Sequence, residues 1–249
     1  MKISPQSILR FDTLPSTSTE AARRAIEGAD EGLCIIADEQ TAGRGRLQRE
    51  WVSPKGSGLY FSIVLRPRIA ERVWPLITLS AALAVSDAIR RSCDLETDIK
   101  WPNDIQANGR KLCGILAETV ETKTGRAVVL GIGVNLRLDG LPADLREAAT
   151  SVEAETGSPV DGERVLAHLI RSFEQRYERL QLAGGEQETV RAWSEASSYA
   201  EGKRIRVTNG DEILEGTTRG LERDGGLRLE TDDGEIKVVR AGDVSVRAR

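Results

Sequence analysis

Cationic, amide and carboxyl side chains gather in four short stretches of this chain. The first runs from Gln40 to Trp51, where Gly43-Arg44-Gly45-Arg46 alternates glycine with guanidinium before Arg49 and Trp51. The second sets Lys100, Asn103 and Asp104 around Trp101-Pro102. The third starts at Lys111 and passes Cys113 and Gly114 to Glu118, and the fourth is Gly131 to Asn135. Glycine lets a backbone approach a ligand closely, and guanidinium forks match carboxylate and phosphate geometry. Taken alone, the first stretch also reads as a solvated basic turn. No phosphate-binding Gly-x-x-x-x-Gly-Lys-Ser/Thr loop is present, and Gln48 stands where a dinucleotide loop would have its third glycine. Separated cations beside glycines instead suit attack of a carboxylate on the α-phosphate of ATP. Both reactants are anions that repel, so positive charge must neutralise them and the charge that develops. A carboxylate is already ionised at neutral pH and needs no general base.

The lone histidine fits that chemistry. His168 falls among Val165, Leu169, Phe173, Tyr177 and Leu180, apolar at helical spacing, which makes it a helix-surface residue rather than a catalyst. The elements that must position the cations follow from periodicity. Strands are expected at Ile8–Leu14, Leu33–Asp38 and Leu59–Leu65, the last with Leu59, Phe61, Ile63 and Leu65 on one apolar face. Thr17 and Glu20 form a capping-box pattern at the start of a helix. Pro75–Arg91 is an alanine- and leucine-rich helix. Asn108-Gly109 is a two-residue hairpin turn between the second and third motifs, and strands are expected at Lys111–Glu118 and Ala127–Leu130. A short helix near Leu141–Ala149 and a long one over Gly162–Leu182 follow. Five short strands after Gly202 read as a small β-barrel. Successive hairpins imply a mixed or antiparallel sheet, not a doubly wound one.

The 249 residues suit one large domain and a small one. Net charge is −4, from 39 acidic and 35 basic side chains, which argues against broad nucleic-acid binding. No uninterrupted apolar run reaches the roughly 18–20 residues of a membrane span. Cys34, Cys93 and Cys113 lie far apart, without metal or disulfide spacing, and fit a reducing cytoplasm.

In order and spacing the four motifs closely resemble the biotin–protein ligase family (biotin–[acetyl-CoA-carboxylase] ligases), nearly from end to end. The resemblance implies an α+β fold: a class II aminoacyl-tRNA synthetase-like catalytic domain with a mixed sheet over residues 1–198, and an SH3-like barrel over 199–249. It implies activation of biotin by ATP to biotinyl-5′-AMP, then transfer to a lysine of a biotin carboxyl carrier domain. Ser16, Thr17, Ser18 and Gln40 are expected at the biotin ring, with Arg44, Gly45, Arg46, Lys111 and Gly114 along the rest of biotin. Arg46, Arg49, Trp51, Lys100, Asn103, Asn135 and Arg247 are expected at ATP, and Lys111, Arg44 and Arg46 at the reacting groups. Mg²⁺ should accompany ATP, with Asp104 one candidate ligand. The DNA-binding helix-turn-helix of some members is not expected here. The protein would act in the cytoplasm as a monomer or homodimer, without DNA or membrane.

Three positions depart from the family pattern. Ser18 stands in place of asparagine, Gln48 in place of glycine, and Cys113 in place of glycine or alanine. Two other readings stay open on the residues alone: a lipoate–protein ligase of the same fold, and a non-catalytic sensor of biotin or nucleotide.

Overall fold

The computed structural model describes Met1 and residues 3–246. β1 (Ile8–Leu14), α1 (Thr17–Ile26) and β2 (Cys34–Gln40) form a β-α-β unit in which the helix returns the chain so that β1 and β2 pair in parallel. β3 (Gly58–Leu65) pairs antiparallel with β2, and α2 (Pro75–Cys93) then crosses the sheet. β4 (Asp98–Lys100), β5 (Asp104–Ala107), β6 (Arg110–Thr122) and β7 (Gly125–Asn135) follow as antiparallel neighbours. The resulting seven-stranded sheet is mixed, in the order β1-β2-β3-β7-β6-β5-β4.

The alternation in β3 explains how both faces are covered. Leu59, Phe61, Ile63 and Leu65 join the large core beneath α2, α4 (Gly162–Leu180) and α5 (Gly185–Ala196). Val64 faces the other way and packs with Ala21 and Ala25 of α1, Ile35, Ala127 and Val129. With its preceding turn, α2 is long and apolar enough over Glu71–Cys93 to cross a membrane, but two thirds of that window (67%) is buried in the core. It is a core helix by its surroundings.

β8 (Glu201–Asn209), β9 (Glu212–Leu221), β10 (Leu227–Glu230), β11 (Ile236–Val239) and β12 (Asp243–Val246) make a second, antiparallel sheet in the order β11-β10-β9-β8-β12. It continues the same hydrophobic core through Ile205, Val207, Leu227 and Leu229. The Trp101 indole donates to Gly225 O at 3.0 Å, and Ser197 Oγ donates to Ile99 O. Trp101 is therefore a core residue that joins the two sheets.

Three local expectations are corrected. The cap of α1 is Ser16, whose Oγ accepts from Thr19 N, and Thr17 is already inside the helix. No α-helix forms over 141–149. A single 3₁₀ turn at Ala143–Leu145 runs into a hydrogen-bonded turn over 146–148, and α3 (Val152–Thr156) starts only after Ser151. The cause is tertiary: Lys111 N donates to Ala148 O and Thr150 N to Lys111 O, so these backbone groups pair with β6 instead of a helix. The helix α5 was not expected at all. Gly184, at φ +83°, reverses the chain after α4, and Thr189 and Trp193 bury the new helix against the core.

Candidate active site

β6 and β7 carry glycine where they cross beneath the cationic loop. Gly114 and Gly133 are register partners, as are Leu116 and Gly131. A Cβ on Gly133 would lie 2.5 Å from Trp51 Nε1, and one on Gly114 would lie 2.9 Å from Trp51 Cζ3. The paired glycines form a flat floor on which the indole of Trp51 rests. At Gly131 a Cβ would come within 2.5 Å of Ser18 Oγ. Close packing thus accounts for the spacing of the fourth motif.

Backbone hydrogen bonds tie together the loop above this floor. Trp51 N donates to Gly43 O at 3.0 Å and Gly45 N to Arg49 O at 2.7 Å. Gly43 has no room for a side chain, because a Cβ would meet Trp51 O at 2.2 Å. Leu47 and Gln48 both adopt left-handed backbone, at φ +54° and +60°. Gln48 therefore holds the conformation that glycine would adopt without steric cost. The three loop arginines each have an anchor. Arg44 pairs with Glu118, and Arg49 with Asp243 of the second sheet. Arg46 donates to Asn103 Oδ1 at 3.1 Å and to Gly242 O at 3.3 Å. Burial pushes the Arg46 guanidinium below its ordinary pKa, opposed by Asp243 and Asp104.

Two cavities adjoin here. The first is lined by Ser16, Thr17, Ser18, Gln40, Arg44, Gly45, Arg46, Arg49 and Gly131, among others. The second is lined by Lys100, Asn135, Leu141, Leu145 and their neighbours. Glu50, Trp51, Asp104 and Lys111 line both. The Lys111 ammonium stands 2.7 Å from Asp104 Oδ1 and 5.4 Å from the centre of the Trp51 ring. Burial lowers the pKa of Lys100, with Asp104 opposing the shift and Lys111 adding to it. One cavity thus offers hydroxyls, an amide and guanidinium groups, the other offers cations beside apolar walls, and a lysine joins them.

The polar end of the first cavity is a connected hydrogen-bond network. Thr17 N and Oγ1 donate to Gln40 Oε1 at 2.8 and 3.1 Å, and Gln40 Nε2 donates to Ser53 Oγ at 2.7 Å. Ser62, fully buried on β3, lies 2.8 Å from Thr17 Oγ1 and 3.1 Å from Ser18 Oγ. Such a network fixes which lone pairs and protons remain for a ligand.

The structure brings together Ser16, Thr17, Ser18, Gln40, Arg44, Gly45, Arg46, Arg49, Trp51, Asn103, Lys111 and Gly114 around the first cavity, and Lys100 and Asn135 around the second. Both asparagines are engaged by their amides. Asn103 Nδ2 donates to Ile115 O, and Asn135 Nδ2 to Thr150 O. Arg247 lies outside the described residues. Among the described residues no group of three or more His, Cys, Asp or Glu side chains is placed to hold a metal ion. Cys113 is fully buried, and burial pushes its thiol well above the ordinary range. Residue-by-residue reading missed Ser62, Ser53, Glu118 as an arginine partner, and Asp243. The alternation of β3 was a signal for Ser62, since it places that hydroxyl on the α1 face. Nothing in the sequence pointed to Asp243.

Residues 10–135 match the model of the Biotin/lipoate A/B protein ligase family, and residues 202–247 match the Biotin protein ligase C terminal domain. The chain is 37% identical over 248 residues to the bifunctional ligase/repressor BirA of Bacillus subtilis, covering 98% of this chain and 75% of that protein. It is 36% identical over 236 residues to the biotin–[acetyl-CoA-carboxylase] ligase of Paracoccus denitrificans, covering 92% of this chain and 96% of the relative. Among solved structures, the biotin protein ligase of Aquifex aeolicus in complex with biotin and ATP superposes with a TM-score of 0.84 at 27% identity. That match covers 97% of this chain and 99% of the other.

Proposed function

Because this chain belongs to the biotin/lipoate A/B protein ligase family and is an ATP-dependent biotin ligase, we propose how its own residues divide the work. Biotin occupies the first cavity, with its ring at Ser16, Thr17, Ser18 and Gln40 and its carboxylate toward Arg44 and Arg46. ATP occupies the second and extends its phosphates through the junction, toward Lys100 on that side and Arg46 and Arg49 of the first cavity. The observation that carries this division is Lys111, whose ammonium lines both cavities at their junction.

The chemistry follows from the charges. A biotin carboxylate oxygen attacks the α-phosphorus, the bond to the β-phosphate oxygen breaks, and pyrophosphate leaves. Lys111 and Arg46 offset the negative charge that gathers between the two anions. In the second step a neutral lysine amine of the carrier attacks the acyl carbon of the mixed anhydride, and AMP departs. Trp51 shields the junction from one side. Mg²⁺ would neutralise the ATP phosphates. Asp104, outside any cluster of three or more candidate ligands among the described residues, fits an ion that keeps most of its ligands from phosphate and water.

The mixed sheet with its helices supports a class II aminoacyl-tRNA synthetase-like catalytic domain over 1–198, and the five short strands support an SH3-like domain over 199–249. The acceptor is a biotin carboxyl carrier domain. Three unpaired thiols fit action in the cytoplasm.

The test is carrier biotinylation with purified chain, carrier domain, biotin and MgATP, with Arg44→Ala and Lys111→Ala as controls. Biotin-dependent labelling of one carrier lysine, strongly slowed in Lys111→Ala and weakened at limiting biotin in Arg44→Ala, is the expected result. Transfer of lipoate without response to biotin, or biotin binding without any transfer, would overturn the reading.

A further inference from the structure

Arg44 lines the first cavity, and the carboxylate that pairs with it does not. Glu118 stands on β6 beyond Gly114 and Leu116, on the same face of that strand, so it approaches Arg44 from outside the cavity. Among the described residues its side chain makes no other hydrogen bond or ion pair. The backbone of the loop adds a second constraint, since Arg44 is bridged to Glu50 across the turn closed by Gly45 and Arg49.

We infer that Glu118 is a positioning residue for adenylation, holding the Arg44 guanidinium at the cavity wall with its remaining N–H groups turned to the substrate carboxylate. The inference rests on the reading that Arg44 meets that carboxylate. A guanidinium carries five donors in a rigid fork, so one carboxylate can occupy an edge while another edge stays available. Without Glu118 the arginine, on an exposed loop, must give up its rotamer freedom only when biotin arrives, and that cost weakens binding. Both side chains are over a third exposed, so the pair is a poor source of fold stability and its effect belongs to the site. The same contact could instead be a latch, in which Glu118 competes with substrate for Arg44. The two roles predict opposite changes in affinity.

The measurement is biotin-dependent ATP–pyrophosphate exchange by the full chain. Positioning predicts that Glu118→Gln raises the KM for biotin about five- to twentyfold, with kcat and the KM for ATP little changed. Glu118→Asp should recover part of the loss. In an Arg44→Ala background, Glu118→Gln should add nothing. A lower KM for biotin in Glu118→Gln would establish the latch and overturn the inference. An unchanged KM, beside a raised KM in Arg44→Ala, would overturn it while leaving the reading of Arg44 intact. An unchanged KM in Arg44→Ala would instead sink the reading beneath it.

Discussion

Lys111 Nζ and Asp104 Oδ1 stand 2.7 Å apart at the junction of the two cavities. The pair spans adjacent strands: Asp104 opens β5 and Lys111 lies near the start of β6. Asp104 thereby fixes where the ammonium points before any substrate arrives. A donor already aimed at the developing charge need not reorganise during reaction.

Lys111→Ala is therefore expected to slow adenylate formation by about two to three orders of magnitude, on the scale of losing one aimed donor. Affinity for biotin should change much less, because the hydroxyls and amide proposed to meet its ring are other residues, Ser16, Thr17, Ser18 and Gln40. Single-turnover adenylation beside calorimetric biotin binding checks this. Equal losses in both would refute the junction role.

Glycine at 131 and 133 makes separable predictions. Gly131→Ala brings a methyl group to 2.5 Å from Ser18 Oγ and should weaken biotin binding. Gly133→Ala pushes against the Trp51 indole and should disturb both cavities at once. Titrations with biotin alone and with ATP alone distinguish them. Loss of ATP binding confined to Gly131→Ala would contradict the arrangement.

Gln48 tests the strained loop. A β-branched residue suffers more than glutamine in left-handed backbone, so Gln48→Val should loosen the turn, at a cost of about 1–2 kcal/mol. Trypsin cleavage at Arg44, Arg46 or Arg49 without ligands should then accelerate severalfold, while Gln48→Gly should relieve the steric cost. Unchanged cleavage in Gln48→Val would mean that the turn is not held at these angles in solution.

Lys100 sets a pH dependence. Burial lowers its pKa in the folded protein, so between the folded and unfolded values the unfolded chain binds more protons. The cost of the buried charge is fully present below the folded pKa and is relieved as pH rises through it. ATP phosphates favour the charged form, so as pH rises through the lowered value ATP binding should take up protons and weaken. Lys100→Arg, which stays charged, should flatten that decline. Calorimetry in buffers of different ionisation enthalpy measures the proton uptake across the pH range of the decline, and a decline and uptake unchanged in Lys100→Arg would exclude Lys100 as their source.

The cationic loop, Lys111, the hydroxyls at Ser16–Ser18 and the glycine floor were all legible in the chain. Their chemistry is local, because residue type fixes charge and hydrogen-bonding capacity, and short spacing fixes which groups share an element. The alternation in β3 and the apolar length of α2 likewise announced which surfaces must be buried. What the chain alone could not supply was the partner of each group. Asp243 reaches Arg49 from 194 positions away, Ser62 meets two hydroxyls more than 40 positions upstream, and Lys111 draws residues 148–150 out of a helix. Contacts so far apart in sequence leave no periodic signal. They arise only when sheet order and core packing bring distant backbone together, and that step decided which of the legible residues line the two cavities and which hold others in place.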